Sequence, residues 1–216
     1  MILGRRLAAT ATLAALSIIT TTSCHLGSQL NEPTPSVISA SRSSTMLANT
    51  SICDLLTSSE METVAGHVPT SFYGYHKTLG NTHQPYLSCT VRFYKSLPDI
   101  DISYEPRVAS QVKVPGDEVP YFDKISSLEG ASPFTIDSIQ GRGILFQDLR
   151  GSAALAWEYP DGNILSMHML NHGGSTQFTD PQQRDQNVHI LTALIKQVVN
   201  RVPSVATGPD NTSSFP

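Results

Sequence analysis

The periodicity of apolar and polar residues changes along this chain, and each change marks an element. Between residues 88 and 95, Cys89, Val91 and Phe93 alternate with Thr90, Arg92 and Tyr94. That is the two-residue period of a strand with one buried face, and it puts Cys89 on that face. Residues 99–105 alternate too, Ile100, Ile102 and Tyr104 against Asp99, Asp101, Ser103 and Glu105. Three more apolar runs (143–149, 152–159 and 163–170) are separated by Arg150-Gly151 and Pro160-Asp161-Gly162, residues that suit tight turns. They predict an antiparallel meander. Thr57 followed by Glu60 is a capping box. It predicts a short helix through Ala65, ended by Gly66 in left-handed geometry, with Leu56, Met61, Val64 and Ala65 on its buried side. Asp180 as N-cap, Pro181 in the first turn and Gln183 behind them open a longer helix. Val188, Leu191, Ile195, Val198 and Val202 recur along it at helical spacing, and Pro203 is expected to stop it. Helix, mostly antiparallel sheet, long C-terminal helix: the expected class is α+β, a two-layer sandwich with the sheet packed on both helices.

Both ends depart from these patterns. After Cys24 the chain is rich in Ser and Thr, carries Pro33 and Pro35 and keeps no period, so residues 24–50 are expected to be a disordered tether. A flexible arm of that length spans roughly 25–30 Å. Residues 203–216 read as a disordered tail for the same reason, leaving 51–202 as the folded domain. The first 23 residues are different again. A basic head with Arg5 and Arg6, an uncharged run over 7–20 and small residues before Cys24 make a secretory signal. The run is shorter than the ~20 residues a spanning helix needs. Thr21-Thr22-Ser23-Cys24 resembles a lipobox, where a diacylglyceryl group is attached to the cysteine. Two acyl chains hold a membrane stably where one is marginal. The expected address is the extracytoplasmic face of the cell membrane, with simple secretion as the alternative.

Composition narrows the function. Charged residues make up 15% of the 216, against about a quarter in ordinary soluble domains. Net charge is −4, near −6 once the two positive charges of Arg5 and Arg6 leave with the signal. Without a Lys/Arg cluster, nucleic acid is excluded as a partner, and any hold on the membrane has to come from the lipid anchor. The three cysteines are Cys24, Cys53 and Cys89. If Cys24 carries lipid, Cys53 and Cys89 remain as a pair, and outside the cytosol such a pair most often forms a disulfide. A metal pair and a catalytic thiol are the competing readings. Neither cysteine has the close spacing metal sites favour.

The sequence Ile52-Cys53-Asp54-Leu55-Leu56-Thr57, then Glu60 and Gly66, then Leu87-Ser88-Cys89-Thr90-Val91, resembles a family of actinobacterial envelope lipoproteins. That family shows a Cys-x-Leu-Leu-Thr helix start and a second cysteine on a following strand. The resemblance implies a PsbP/Mog1-like sandwich over residues 51–202. It implies no catalytic residues.

No Gly-x-Ser-x-Gly elbow and no phosphate-cradling glycine loop occur. Asp99 and Asp101 share one side of a strand, as a cation or acid–base pair would, or as the solvated face of an edge strand. His168 and His172, with His76 or His83, are the metal candidates, set against ordinary strand and turn histidines. Phe72, Tyr73 and Tyr75, with Tyr86, would sit on a mobile polar loop able to stack on sugars or touch a partner. The competing view has one or two of them filling the core. The functional expectation is a non-enzymatic binding or accessory module of the cell envelope, without cofactor, whose partner is an envelope protein, lipid or glycan. An envelope hydrolase or metal-binding enzyme using Asp99, Asp101, His168 or His172 is the alternative.

Overall fold

Alternation along the chain becomes antiparallel pairing in space. The computed structural model describes residues 46–80, 84–93, 97–106, 121–147, 152–170 and 181–216. A hairpin of β1 (Ser51–Ile52) and β2 (Leu56–Thr57) leads into α1 (Ser58–Ala65), β3 (Ser71–Leu79), β4 (Gln84–Arg92) and β5 (Asp99–Glu105). Then come α2 (Tyr121–Ser126), β6 (Ser132–Phe134), β7 (Arg142–Gln147), β8 (Ala153–Glu158) and β9 (Ile164–Leu170). α3 (Pro181–Val198), α4 (Val202–Ala206) and β10 (Asn211–Phe215) complete the order. Eight strands form one antiparallel sheet, ordered β10-β3-β4-β5-β9-β8-β7-β6. The class is α+β with two main layers, as the periodicities predict, and β7–β8–β9 is the expected meander.

One face of the sheet meets the helices. Leu87, Cys89 and Val91 of β4, Ile100, Ile102 and Tyr104 of β5, and Leu165, Met167 and Met169 of β9 are all buried there. Leu191, Leu194, Ile195 and Val198 of α3 close over them. Full burial of one such side chain is worth about 1.5–3 kcal/mol. α1 docks as its sequence dictates. Thr57 Oγ1 accepts the Glu60 N–H at 3.2 Å, Glu60 Oε2 accepts the Thr57 N–H at 2.6 Å, and Gly66 ends the helix at φ 72°.

The opposite face is divided. α2 covers its β7–β8–β9 side, where Phe122 and Ile125 bury Ile144, Phe146, Ala154, Ala156 and Ile164. Every residue of β8 is consequently buried, and alanines at 154 and 156 leave room for α2. Arg142 pins that helix: it donates to Glu158 at 2.5 Å and to Asp123 at 2.9 Å, with its guanidinium 4.5 Å from the Phe122 ring centre.

Several expectations are corrected. The folded part already includes Met46, which is buried, so residues 46–50 are not tether. The Ser58 and Ser59 N–H groups donate to the Thr50 and Ala48 carbonyls, and the Ser58 hydroxyl to the Leu47 carbonyl. The segment thereby satisfies the start of α1, whose first N–H groups have no partner within the helix. Residues 203–216 are not a disordered tail. They form most of α4 and the edge strand β10, which pairs with β3 from Asn211↔His76 to Phe215↔Phe72. A polar composition is compatible with a strand that needs only one neighbour. Pro203 does not end the long helix, which stops at Val198; it sits in the first turn of α4, where its missing N–H costs nothing. Residues 72–76 are not a loop but the middle of β3. β5 is no edge strand; it lies between β4 and β9. The signal segment, Cys24 and Asp180 lie outside the described residues.

Candidate functional site

The pleat decides which aromatics reach solvent. Phe72 and His76 of β3 turn toward the core, 5% and 7% exposed. Tyr73, Tyr75 and Lys77 point to the other face. Phe72 is therefore not part of an exposed aromatic set, which corrects one expectation. Tyr73 is 55% exposed. Its ring centre is 6.1 Å from that of Tyr75, which in turn stacks on Tyr86 of β4 at 5.8 Å and 27°. The Lys77 ammonium sits 5.2 Å from the Tyr75 ring centre. Burial, and after it the neighbouring Tyr75, pushes the Tyr86 hydroxyl up to about 12, while a hydrogen bond with Ser88 pulls the other way. Three of the four aromatic candidates thus form one continuous row.

Beside this row the same face carries hydroxyls. Tyr75 faces Ser88, Ser88 faces Ser103, and Ser103 faces Ser166, across β3, β4, β5 and β9. Carboxylates stand two residues either side of Ser103 on β5. Asp101 is opposite Thr90 and His168, and burial raises the Glu105 carboxyl above its ordinary value. Ser166 is 3% exposed, and among the described residues neither its Oγ nor Asp101 Oδ1, both closed to solvent, has a hydrogen-bond partner. On the far side the His168 ring meets Phe146 edge-on at 6.0 Å, next to the cluster under α2. The result is a band across the sheet: tyrosines on β3 and β4, serines aligned by register on β4, β5 and β9, and beyond them the apolar cluster under α2. Polar residues in it were legible as strand positions, but Ser88, Ser103 and Ser166 carried no separate signal: serine is common in turns, and only register aligns these three.

The other candidates fall elsewhere. Asp99 lies at the start of β5, its Oδ2 3.7 Å from Arg92 Nε. His76 is on the core face, with Nε2 3.4 Å from Asp54 Oδ2, an oxygen that also accepts Asn211 Nδ2 at 2.8 Å. The sheet therefore separates His76 from His168, and His83 and His172 lie outside the described residues. Among the described residues, no three His, Cys, Asp or Glu side chains are grouped to hold a metal ion. Cys53 and Cys89 are joined as a disulfide with their Cα atoms 6.0 Å apart, so neither offers a thiolate. The bridge fastens the turn after β1 to the middle of β4. In that turn Cys53 and Asp54 both have positive φ, 52° and 59°, and the Leu55 N–H returns to the Ile52 carbonyl at 3.0 Å. This is the hairpin turn whose twist matches the strands. Among the described residues, no helix is long and apolar enough to cross a membrane.

No family model, curated protein or solved structure matches the chain. Geometry and chemistry of the face carry the functional reading.

Proposed function

We propose that this chain is a lipid-anchored, non-enzymatic binding module on the extracytoplasmic face of the cell membrane, and that it meets its partner through Tyr73, Tyr75 and Tyr86. The observation that carries the reading is the tyrosine row: two of the rings are stacked and the third stands open to solvent. Rings already packed on one another lose little freedom when a partner arrives, and they offer large area with a polar tip. The Cys53–Cys89 disulfide supports an oxidising compartment. The basic head, apolar run and Cys24 support export and the anchor. The Cys-Asp-Leu-Leu-Thr start supports a place among the actinobacterial envelope lipoproteins.

Two measurements test this. Mass spectrometry of the membrane-extracted protein should find acyl mass on Cys24 and a linked Cys53–Cys89 peptide. Full-length protein should capture an envelope component, and Tyr73→Ala with Tyr75→Ala should lower that capture about tenfold or more while leaving thermal unfolding in place. Capture indifferent to both replacements, or turnover of a substrate by the purified chain, overturns the proposal.

A further inference from the structure

We infer that the open cavity at one end of β3, β4 and β10 binds a phosphate ester, gripped by the Arg92 guanidinium and stacked against Tyr73. This rests on the binding-module reading and gives its partner a chemistry.

Register builds the site. Tyr73 pairs with Thr90 on one side and Ser214 on the other, and Ser71 pairs with Arg92. Paired residues, and residues two apart on one strand, share a face of a sheet. All five therefore stand on the face away from α3, and they line a cavity of about 400 Å³. Its side chains reach solvent: Tyr73 is 55% exposed and the Arg92 side chain 64%.

The chemistry of this lining is one-sided. Arg92 can only donate, and the hydroxyls of Ser71, Tyr73, Thr90 and Ser214 can each donate. None of the five is an obligate acceptor. The Arg92 carbonyl, for its part, already accepts the Thr70 N–H at 2.8 Å and the Thr70 hydroxyl at 3.1 Å. Asp99 approaches the guanidinium only at Nε, at 3.7 Å, which is longer than a hydrogen bond. That contact leaves the terminal nitrogens for a planar two-point grip on an oxyanion. Two further cavities are lined by Arg142, but its nitrogens serve Glu158 and Asp123.

Shape selects among oxyanions. Ser214 and Thr90 lie two strand spacings apart, about 10 Å, more than a bare ion spans. A tetrahedral phosphate spreads its oxygens toward Arg92 and toward hydroxyls on other strands. A carboxylate has two coplanar oxygens, and the guanidinium fork uses both. The carbon side of an ester then meets the Tyr73 ring. A chain of net charge −4 does not gather anions through its overall field, so the grip is local.

The test titrates full-length protein in a non-ionic detergent with glycerol 3-phosphate, with dihexanoyl phosphatidylglycerol and with glycerate, read by saturation-transfer NMR. At least one phosphate ester should bind saturably with a Kd of about 1 mM or tighter, and glycerate about tenfold more weakly. Tighter binding of the lipid supports a headgroup as the source; tighter binding of glycerol 3-phosphate supports a soluble ester. Arg92→Gln should weaken binding about tenfold or more, and Arg92→Lys, which keeps the charge without the fork, should fall between. Tyr73→Ala should cost about fivefold. Arg184→Gln removes an exposed cation from the helical layer and should stay within about twofold. Thermal unfolding checks each variant, and Thr90→Val replaces the Arg92 variants if they do not fold. No saturable binding of either ester, or glycerate bound as tightly, overturns the phosphate assignment. Equal losses from Arg92→Gln and Arg184→Gln overturn the location. If the phosphate assignment fails while tyrosine-dependent capture of an envelope component persists, the binding module survives with another ligand; if capture also ignores the tyrosines, both readings fall.

Discussion

Arg201, in the turn between the two C-terminal helices, reaches Glu60 in the first helix, with Nη2 3.0 Å from Oε1, and also donates from Nη1 to the Leu55 carbonyl at 2.9 Å. The same Glu60 closes the capping box on Thr57. One carboxylate therefore serves the start of α1 and ties it to the C-terminal part of the fold. The Arg201 hydrogen bond first, and the Thr57 backbone N–H next, hold the Glu60 carboxyl down at about 2.

A lowered carboxyl pKa stabilises the fold above the unfolded value of 4.5, and the contribution is lost as pH falls from there toward about 2. Both partners are partly exposed, so solvent screens the effect. Glu60→Gln should be less stable than the parent at pH 7, and the difference should shrink steadily between pH 4.5 and 2. Urea unfolding at a series of pH values measures it. A difference independent of pH would contradict the assignment.

Gly74 lies directly over the bridge. A Cβ there would collide with Cys53 Sγ and stand 2.9 Å from the Ser88 carbonyl oxygen. Gly74→Ala should cost about 1–3 kcal/mol by overpacking. Part of that cost should disappear when Cys53→Ala and Cys89→Ala are also present, because the colliding sulfur is gone, while the close approach to the Ser88 carbonyl remains. A double-mutant cycle in urea reads the coupling.

Removing the cysteines alone should also be informative. The bridge closes a loop of 36 residues, worth about 3–4 kcal/mol in the chain-entropy model. Cys53→Ser with Cys89→Ser, or the parent under reductant, should unfold at correspondingly lower denaturant.

Truncation after Asp210 removes β10 and bares the backbone of β3. Unpaired edges invite pairing with other chains. The shortened protein should self-associate in sedimentation runs, and amides of residues 72–76 should exchange faster with solvent. A monomer with unchanged exchange would deny β10 its part in the sheet.

Trp157 is fully buried, and among the described residues its Nε1 has no hydrogen-bond partner. Trp157→Phe discards that unsatisfied donor and should cost less than about 1.5 kcal/mol. Trp157→Ala opens a cavity and should cost about 3–5 kcal/mol. Denaturation followed by circular dichroism separates the two.

Sequence patterns revealed the parts of the fold in which one residue type repeats. Cys89, Val91 and Phe93, or Ile100 and Ile102, announce a strand because every second residue must leave water. Thr57 and Glu60 announce a helix start because only that spacing closes both bonds. β3 was hidden because Gly74 and the polar tip of each tyrosine imitate a loop; its glycine is there for the disulfide. β10 was hidden because Asn211, Thr212, Ser213 and Ser214 have no apolar alternation, being held by backbone bonds at an edge. Of the site, the tyrosines were legible as residue types, yet separating Phe72 from Tyr73 requires the pleat. The alignment of Ser88, Ser103 and Ser166 requires two strand registers at once, which no single stretch of sequence contains.

The bridge from Cys53 to Cys89 also sets how the fold yields to tension. A pull applied between the two ends of the chain passes through the sulfur atoms and bypasses residues 54–88. That stretch, with all of β3 and half of β4, cannot be drawn out while the bond lasts. At about 3.4 Å per residue, some 120 Å of contour length stays locked, and a single-molecule trace should recover it as an added step only after reduction.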